Sequence, residues 1–332
     1  MPTYKSCKGW ILFLFSIVSF SAFSQGMPSG SGGGEKIEDE KNFQFMPIPY
    51  INYDRSLEFQ FGALPMAMYK VNKKDTISPA SISGIFGMYT TNKSWFALGF
   101  QQLYLNEDRW RITLAAGGGS INFQTYAGAP FNQFVKYNTG VNFFYIEAQR
   151  KVFKDFYLGL AYIYSEFGTA FTEELKTPTK YMNGIGPVVS YDKRDDVYYP
   201  HHGSYSNGNW NSYPTFLGND SVSNRIEIDH TNYFSSRQEK DVIAARFYGG
   251  FGIGSVPFEQ QFVVGQEDIR GYSQGKYRGE QMVAIQGEYR WNFLERWSAV
   301  GFVGVATVFN TLGGENDSSF LPGIGTGFRY NV

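Results

Sequence analysis

Asp192-Lys193-Arg194-Asp195 places two carboxylates and a guanidinium within four residues. Paired carboxylates can act as general acid and base, so the string could pass protons. On a strand, however, Asp192 and Arg194 share a face, and a same-strand charge network at a rim is the simpler account. His201, His202 and His230 are the only histidines. A metal needs three or four ligands in one place, and adjacent histidines on a strand point to opposite faces, so His201-His202 reads as a polar turn and no metal is expected. Cys7 is the only cysteine and lies in a segment expected to be removed, which leaves the mature chain without disulfides or thiolate ligands. No phosphate loop, nucleophile elbow or metal motif occurs elsewhere. The chain therefore reads as a non-enzyme without a cofactor. A formal net charge of -1 gives no basis for nucleic-acid binding.

The elements that would carry these residues are strands. Lys5 and Lys8 precede an apolar run from Trp10 to Phe23, and Ala22-Phe23-Ser24 supplies small residues at a cleavage point. The run falls short of the roughly 20 residues a helical span needs, so 1–24 is read as a signal peptide. Residues 25–42, rich in Gly and Ser and ending in charge, form a flexible periplasmic lead-in that cannot bury a core. From Phe43 onward apolar and polar residues alternate, as in Leu57-Glu58-Phe59-Gln60-Phe61 and Arg225-Ile226-Glu227-Ile228-Asp229. Aromatics reach 18%, with 38 Gly, while mean hydropathy is negative. That composition suits a transmembrane barrel, where one residue in two faces lipid and the other a wet lumen, and equally a secreted β-sandwich. Repetition decides between them. Segments of membrane-crossing length fall at 43–53, 57–70, 79–91, 94–106, 109–121, 139–150, 155–166, 181–193, 202–212, 221–236, 240–253, 281–294, 296–309 and 321–332. Fold class is therefore all-β, a transmembrane antiparallel barrel over 43–332. Short connections at 92–93 and 106–108 alternate with long ones at 122–138, 167–180 and 254–280, the pattern of short periplasmic and long extracellular connections. Pro47 and Pro49 put the first strand at an edge or seam.

Two strings add a resemblance. Val264-Gly265-Gln266-Glu267-Asp268-Ile269-Arg270-Gly271-Tyr272 resembles the (V/I)RG(F/Y) loop of the BamA/TamA-like, or bacterial surface antigen, superfamily. Gly184 to Asp195, followed by Tyr199-Pro200 and Gly203, resembles its second signature: a glycine-rich strand, DxRD, then Pro and Gly at the turn. Gln286-Gly287-Glu288-Tyr289-Arg290 is similar to the strand after the loop. The resemblance spans 43–332 by pattern, with specific motifs only at 184–203 and 264–309.

The resemblance implies a 16-strand family barrel with the loop folded back into the lumen. Ile269, Arg270, Gly271 and Tyr272 would then form the lumen-loop motif, and Asp192, Arg194, Asp195, Pro200 and Gly203 the rim charge network. Alternation sets Ala284, Gln286, Glu288 and Arg290 on one face, so Glu288 is the expected partner of Arg270. In Phe302-Val303-Gly304-Val305-Ala306 a glycine stands where the family has aspartate, which implies a weaker loop anchor. Fourteen strands against the family's sixteen leave two readings, a closed 14-strand barrel, since even-numbered barrels of many sizes exist, and closing strands beyond Val332, which an open lipid-exposed edge favours. The lead-in has no room for POTRA domains, which assembly members of the family normally carry. The implied function is assembly or export of proteins at the outer membrane, with outer-membrane lipid around the barrel and outer-membrane or periplasmic partner proteins. The alternatives are a non-catalytic scaffold or accessory subunit and a diffusion pore, against which a loop in the lumen argues.

Overall fold

The computed structural model describes residues 43–54, 57–127, 133–170, 178–257, 260–264, 269, 277–294, 297–310 and 320–330. The expected signal peptide and lead-in, and Arg270, Gly271 and Tyr272, lie outside the described residues.

Alternation of this kind can bury one face only as a sheet, and it does. Fourteen strands pair antiparallel in chain order: β1 (Phe43–Asp54), β2 (Glu58–Tyr69), β3 (Ser81–Thr90), β4 (Trp95–Leu105), β5 (Trp110–Ala127), β6 (Gln133–Phe153), β7 (Phe156–Ala170), β8 (Lys180–Asp192), β9 (Gly203–Tyr213), β10 (Ser223–Ser236), β11 (Asp241–Gly254), β14 (Gln281–Asn292), β15 (Trp297–Phe309) and β16 (Leu321–Tyr330). Within the β11–β14 connection, β12 (Phe262–Val263) and β13 (Arg278–Gly279) form a separate ribbon.

Inner-face side chains from strands well apart in this order meet. Phe96 of β4, Phe143 of β6, Phe167 of β7, Met182 of β8 and Tyr213 of β9 share a buried cluster, so the sheet is rolled with that face inside. Among the described residues no ladder joins β1 to β16, and these two strands are the sheet edges. Pro47 faces Pro65 across β1 and β2. Neither has an N–H, so this cannot be a hydrogen-bonded pair, and the backbone groups of Pro47 and Pro49 turn to the free edge, where proline is tolerated.

On β8, Met182, Val188, Ser190 and Asp192 are buried while Tyr181, Ile185, Val189 and Tyr191 are exposed. The outward set continues through Phe61, Ile85, Trp95, Leu160, Ile228 and Ile285, an apolar belt that requires lipid rather than water. The inner face differs from the uniformly polar lumen that alternation implies. Met46, Leu64, Met66, Met68, Ala80 and Ile82 make an apolar cluster on β1 to β3. On β10, by contrast, Arg225, Glu227 and Asp229 are buried inside, with Ile228 outside.

Two expectations about connections need correction. The region 122–138 is mostly strand, since pairing runs on from Ile121↔Thr139 to Ala127↔Gln133. Phe, Thr, Tyr and Val there favour extended backbone over a loop. Short and long connections also do not sort by end. The antiparallel order puts 70–80, 106–109, 154–155, 193–202 and 237–240 at one end, the turn end, and 91–94, 214–222 and 255–280 at the other, the loop end. Of the longer turn-end connections, 193–202 reaches across to the wall, as described below, while most of 70–80 is exposed.

Candidate functional site

Two groups of buried arginines organise the interior. The turn-end group forms where β8 stops. Arg194 Nε donates to Asp192 Oδ1 at 2.8 Å and its Nη2 to Oδ2 at 2.8 Å, while Arg111 Nη1 reaches Oδ2 at 2.7 Å from β5. Arg111 also forks onto Asp108, with Nε 2.9 Å from Oδ1 and Nη2 2.7 Å from Oδ2. Its guanidinium lies 3.9 Å from the centre of the Tyr157 ring, and that of Arg194 lies 4.2 Å from the centre of Tyr205. Little solvent reaches these four charges, a setting where a charge persists only with partners. Both Asp192 oxygens are engaged by guanidinium groups, an arrangement that holds strands together.

The other residues of this signature shape the 193–202 turn. Asp195 accepts the N–H groups of His201 and His202 at 3.0 and 3.1 Å. Pro200 is buried. Gly203 has a φ of 100°, and a Cβ there would stand 2.1 Å from the Lys193 carbonyl oxygen, so only glycine fits. Sequence reasoning missed Arg111, Asp108 and Tyr157. The available signal was Arg109-Trp110-Arg111-Ile112, which sets Arg111 opposite the outward Trp110.

The second group lies toward the loop end. Arg225 Nε donates to Glu227 Oε1 at 2.6 Å, and Tyr248 Oη donates to Glu227 Oε2 at 2.8 Å. Arg225 Nη1 donates to the Gln260 carbonyl at 2.5 Å, and its guanidinium lies 3.8 Å from the centre of the Phe262 ring. Gln260 and Phe262 belong to the β11–β14 connection, so β10 grips that connection directly. Phe262, Val264 and Ile269 are buried against Tyr248, Met282, Ala284, Ala306, Val308 and Leu321 of the inner wall. Each such side chain contributes on the order of 2 kcal/mol by leaving water.

Two glycines make the seats. A Cβ on Gly250 would stand 2.4 Å from the Phe262 ring. One on Gly304 would stand 3.0 Å from Ile269 Cγ2 and 2.9 Å from the Ile285 carbonyl. At the position where the resemblance leads one to look for aspartate, this chain has an apolar seat for the loop. Glu288 is buried on the inner face of β14, while Ile285, Tyr289 and Trp291 face out. Its Oε1 accepts from Arg290 Nε at 2.7 Å. Arg270, its expected partner, lies outside the described residues. Among the described residues no three His, Cys, Asp or Glu gather as metal ligands.

The Omp85 superfamily domain matches residues 86–332. Among solved structures the chain is similar to BamA from Haemophilus ducreyi lacking POTRA domains 1-3, with a TM-score of 0.59 and 13% identity over 95% of this chain and 71% of that one. It is similar to CdiB from Escherichia coli, with a TM-score of 0.66 and 9% identity over 87% of this chain and 56% of the other. CdiB from Acinetobacter baumannii gives a TM-score of 0.56 and 11% identity over 88% and 54%. This chain thus spans just over half the length of the two CdiB chains, and at these identities the likeness is one of fold. No curated protein sequence matches it. With the superfamily domain matched from within β3 through Val332, the protein belongs to the Omp85 superfamily of outer-membrane β-barrels.

Proposed function

We propose that this protein takes part in the assembly or export of outer-membrane proteins, together with partner proteins of the outer membrane or periplasm. The observation that carries the reading is the β11–β14 connection seated inside the barrel by Arg225, Gly250 and Gly304. A loop held there narrows the lumen, which suits a barrel that works through its wall and rims better than a diffusion pore. In this reading 1–24 directs export, 25–42 is the lead-in, the loop end faces outward and the turn end faces the periplasm. Arg270 pairs with Glu288, and Ile269, Gly271 and Tyr272 complete the loop motif.

One observation favours a second reading. Phe96, Phe143, Phe167 and Tyr213 fill the lumen beside β4 to β9, which suits a non-catalytic scaffold or accessory subunit. Depletion of the protein, followed by quantitative outer-membrane proteomics and native mass spectrometry of the gently extracted complex, separates the two. Assembly or export is expected to give stoichiometric partners and the loss of a subset of outer-membrane proteins. Partners without any such loss would leave the scaffold, and neither partners nor loss would refute the proposal.

A further inference from the structure

We infer that the β8–β9 turn, 193–202, is a cross-brace at the turn-end mouth, tying together the two stretches of wall that flank the sheet edges. The turn is held rigid from within. Asp196 Oδ1 accepts the N–H groups of Tyr198 and Tyr199 at 2.7 and 2.9 Å, and Arg194 Nη1 donates to the Val197 carbonyl at 3.0 Å. Arg194 is itself fixed by Asp192. Two adjacent tyrosines then reach different walls.

Tyr198 Oη donates to the Ala80 carbonyl, and its ring packs on the Met66 and Met68 cluster and edge-on to Tyr104 of β4, with centroids 6.5 Å apart. Tyr199 Oη donates to Asn292 Oδ1 at 3.1 Å, at the end of β14. Asn292 is held in turn by its Nδ2, which donates to the Lys240 carbonyl at 2.5 Å. In sheet order β3 stands five places from β8, and β14 three places from β9. β3 and β14 each stand two places from a sheet edge, β1 on one side and β16 on the other. A turn that only joined β8 to β9 would need none of these contacts. Because the two tyrosines are neighbours on one rigid turn, the flanks can separate only if the turn lets go of one of them. The brace therefore sets the spacing across the sheet edges, whatever client or partner the protein serves.

The test measures that spacing. Cys7 is the only cysteine, so Cys7→Ser with Lys74→Cys and Leu294→Cys puts one spin label on an exposed position of each flank. Pulsed electron paramagnetic resonance on the full chain in phospholipid vesicles then reports the distance distribution, with heat-modifiable electrophoresis showing that each variant is folded. The native turn is expected to give a single narrow distribution. Tyr199→Phe, which removes the Asn292 bond, and Tyr198→Ala, which removes the Ala80 contact, should each broaden it and shift it to longer distance. The milder Tyr198→Phe should do so to a smaller extent. Because the two contacts act in series, the Tyr198→Ala, Tyr199→Phe pair should shift it no further than the larger single change. An unchanged distribution in folded Tyr199→Phe and Tyr198→Ala would overturn the brace, as would effects of the two substitutions that simply add.

Discussion

The turn end sets charge against charge. Arg111 and Arg194 meet Asp108 and Asp192 through five guanidinium hydrogen bonds. Toward the loop end Arg225 has Glu227 and otherwise leans on a carbonyl and an aromatic face. The first network joins β5 to β8, parts of the wall whose spacing it fixes. The second holds a connection that enters from outside the sheet, and it does so with seats left open by Gly250 and Gly304. Charge networks here set distances within the wall, whereas missing side chains set what the wall will admit.

That contrast can be broken most sharply at Asp192. Asp192→Ala leaves two arginines short of a partner in a place water barely reaches, which should cost about 3–5 kcal/mol in urea unfolding from vesicles. Protease protection of 260–264 should be unchanged, because that stretch is held by other groups. Loss of protection there would show the two ends to be one unit. The converse variant is Gly250→Ala, whose methyl group would meet the Phe262 ring. It should cost about 1–3 kcal/mol through overpacking and expose the connection to limited proteolysis while the turn end stays intact. Retained protection would mean that Phe262 is not what seats the loop.

The smallest effect concerns pH at the turn end. Burial alone would raise the Asp75 carboxyl, but hydrogen bonds from the Ser78 hydroxyl and from the N–H groups of Ser78, Glu107 and Ile77 hold it at about 2, below its usual 3.8. The folded value is the lower one, so this stabilisation is present above about 3.8 and is lost as pH falls through about 2. Solvent screening limits it to about 1 kcal/mol or less. The stability of the wild type should fall by that amount between pH 4 and pH 2 relative to Asp75→Asn, and equal slopes would remove Asp75 from the account.

What could be read in the sequence was what depends on neighbours along the chain. All fourteen strands of the sheet follow from alternation, and so does the inward face of Glu288, because both rest on a period of two. The pairing of Asp192 with Arg194 was legible from their closeness along the chain, but not its setting, since β8 ends at Asp192 and Arg194 turns back onto it from the 193–202 turn instead of sharing a strand face. Arg111 was not, since its bond to Asp192 joins residues 81 apart. Gly250 and Gly304 could not be read as seats, because a glycine's use depends on what comes against it in space. Tyr199 was read only as company for Pro200 and Tyr198 was not singled out; nothing local shows that one reaches the start of β3 and the other β14. The strand extension through 122–138 was missed because Ala127-Gly128-Ala129-Pro130 marks a turn without saying how far the flanking strands run up to it.

The meander has a consequence for the order of assembly. Every ladder among the fourteen strands joins consecutive members of the sheet, so each closes a short stretch of chain, apart from the β11–β14 step. The bonds made by Tyr198 and Tyr199 close stretches of 118 and 93 residues. Closure entropy grows with the length enclosed, and it falls once intervening strands have already brought the ends together. Contact order thus separates the wall, which can zip hairpin by hairpin, from the two tyrosine contacts, whose ends meet at low entropic cost only when the hairpins between them are in place.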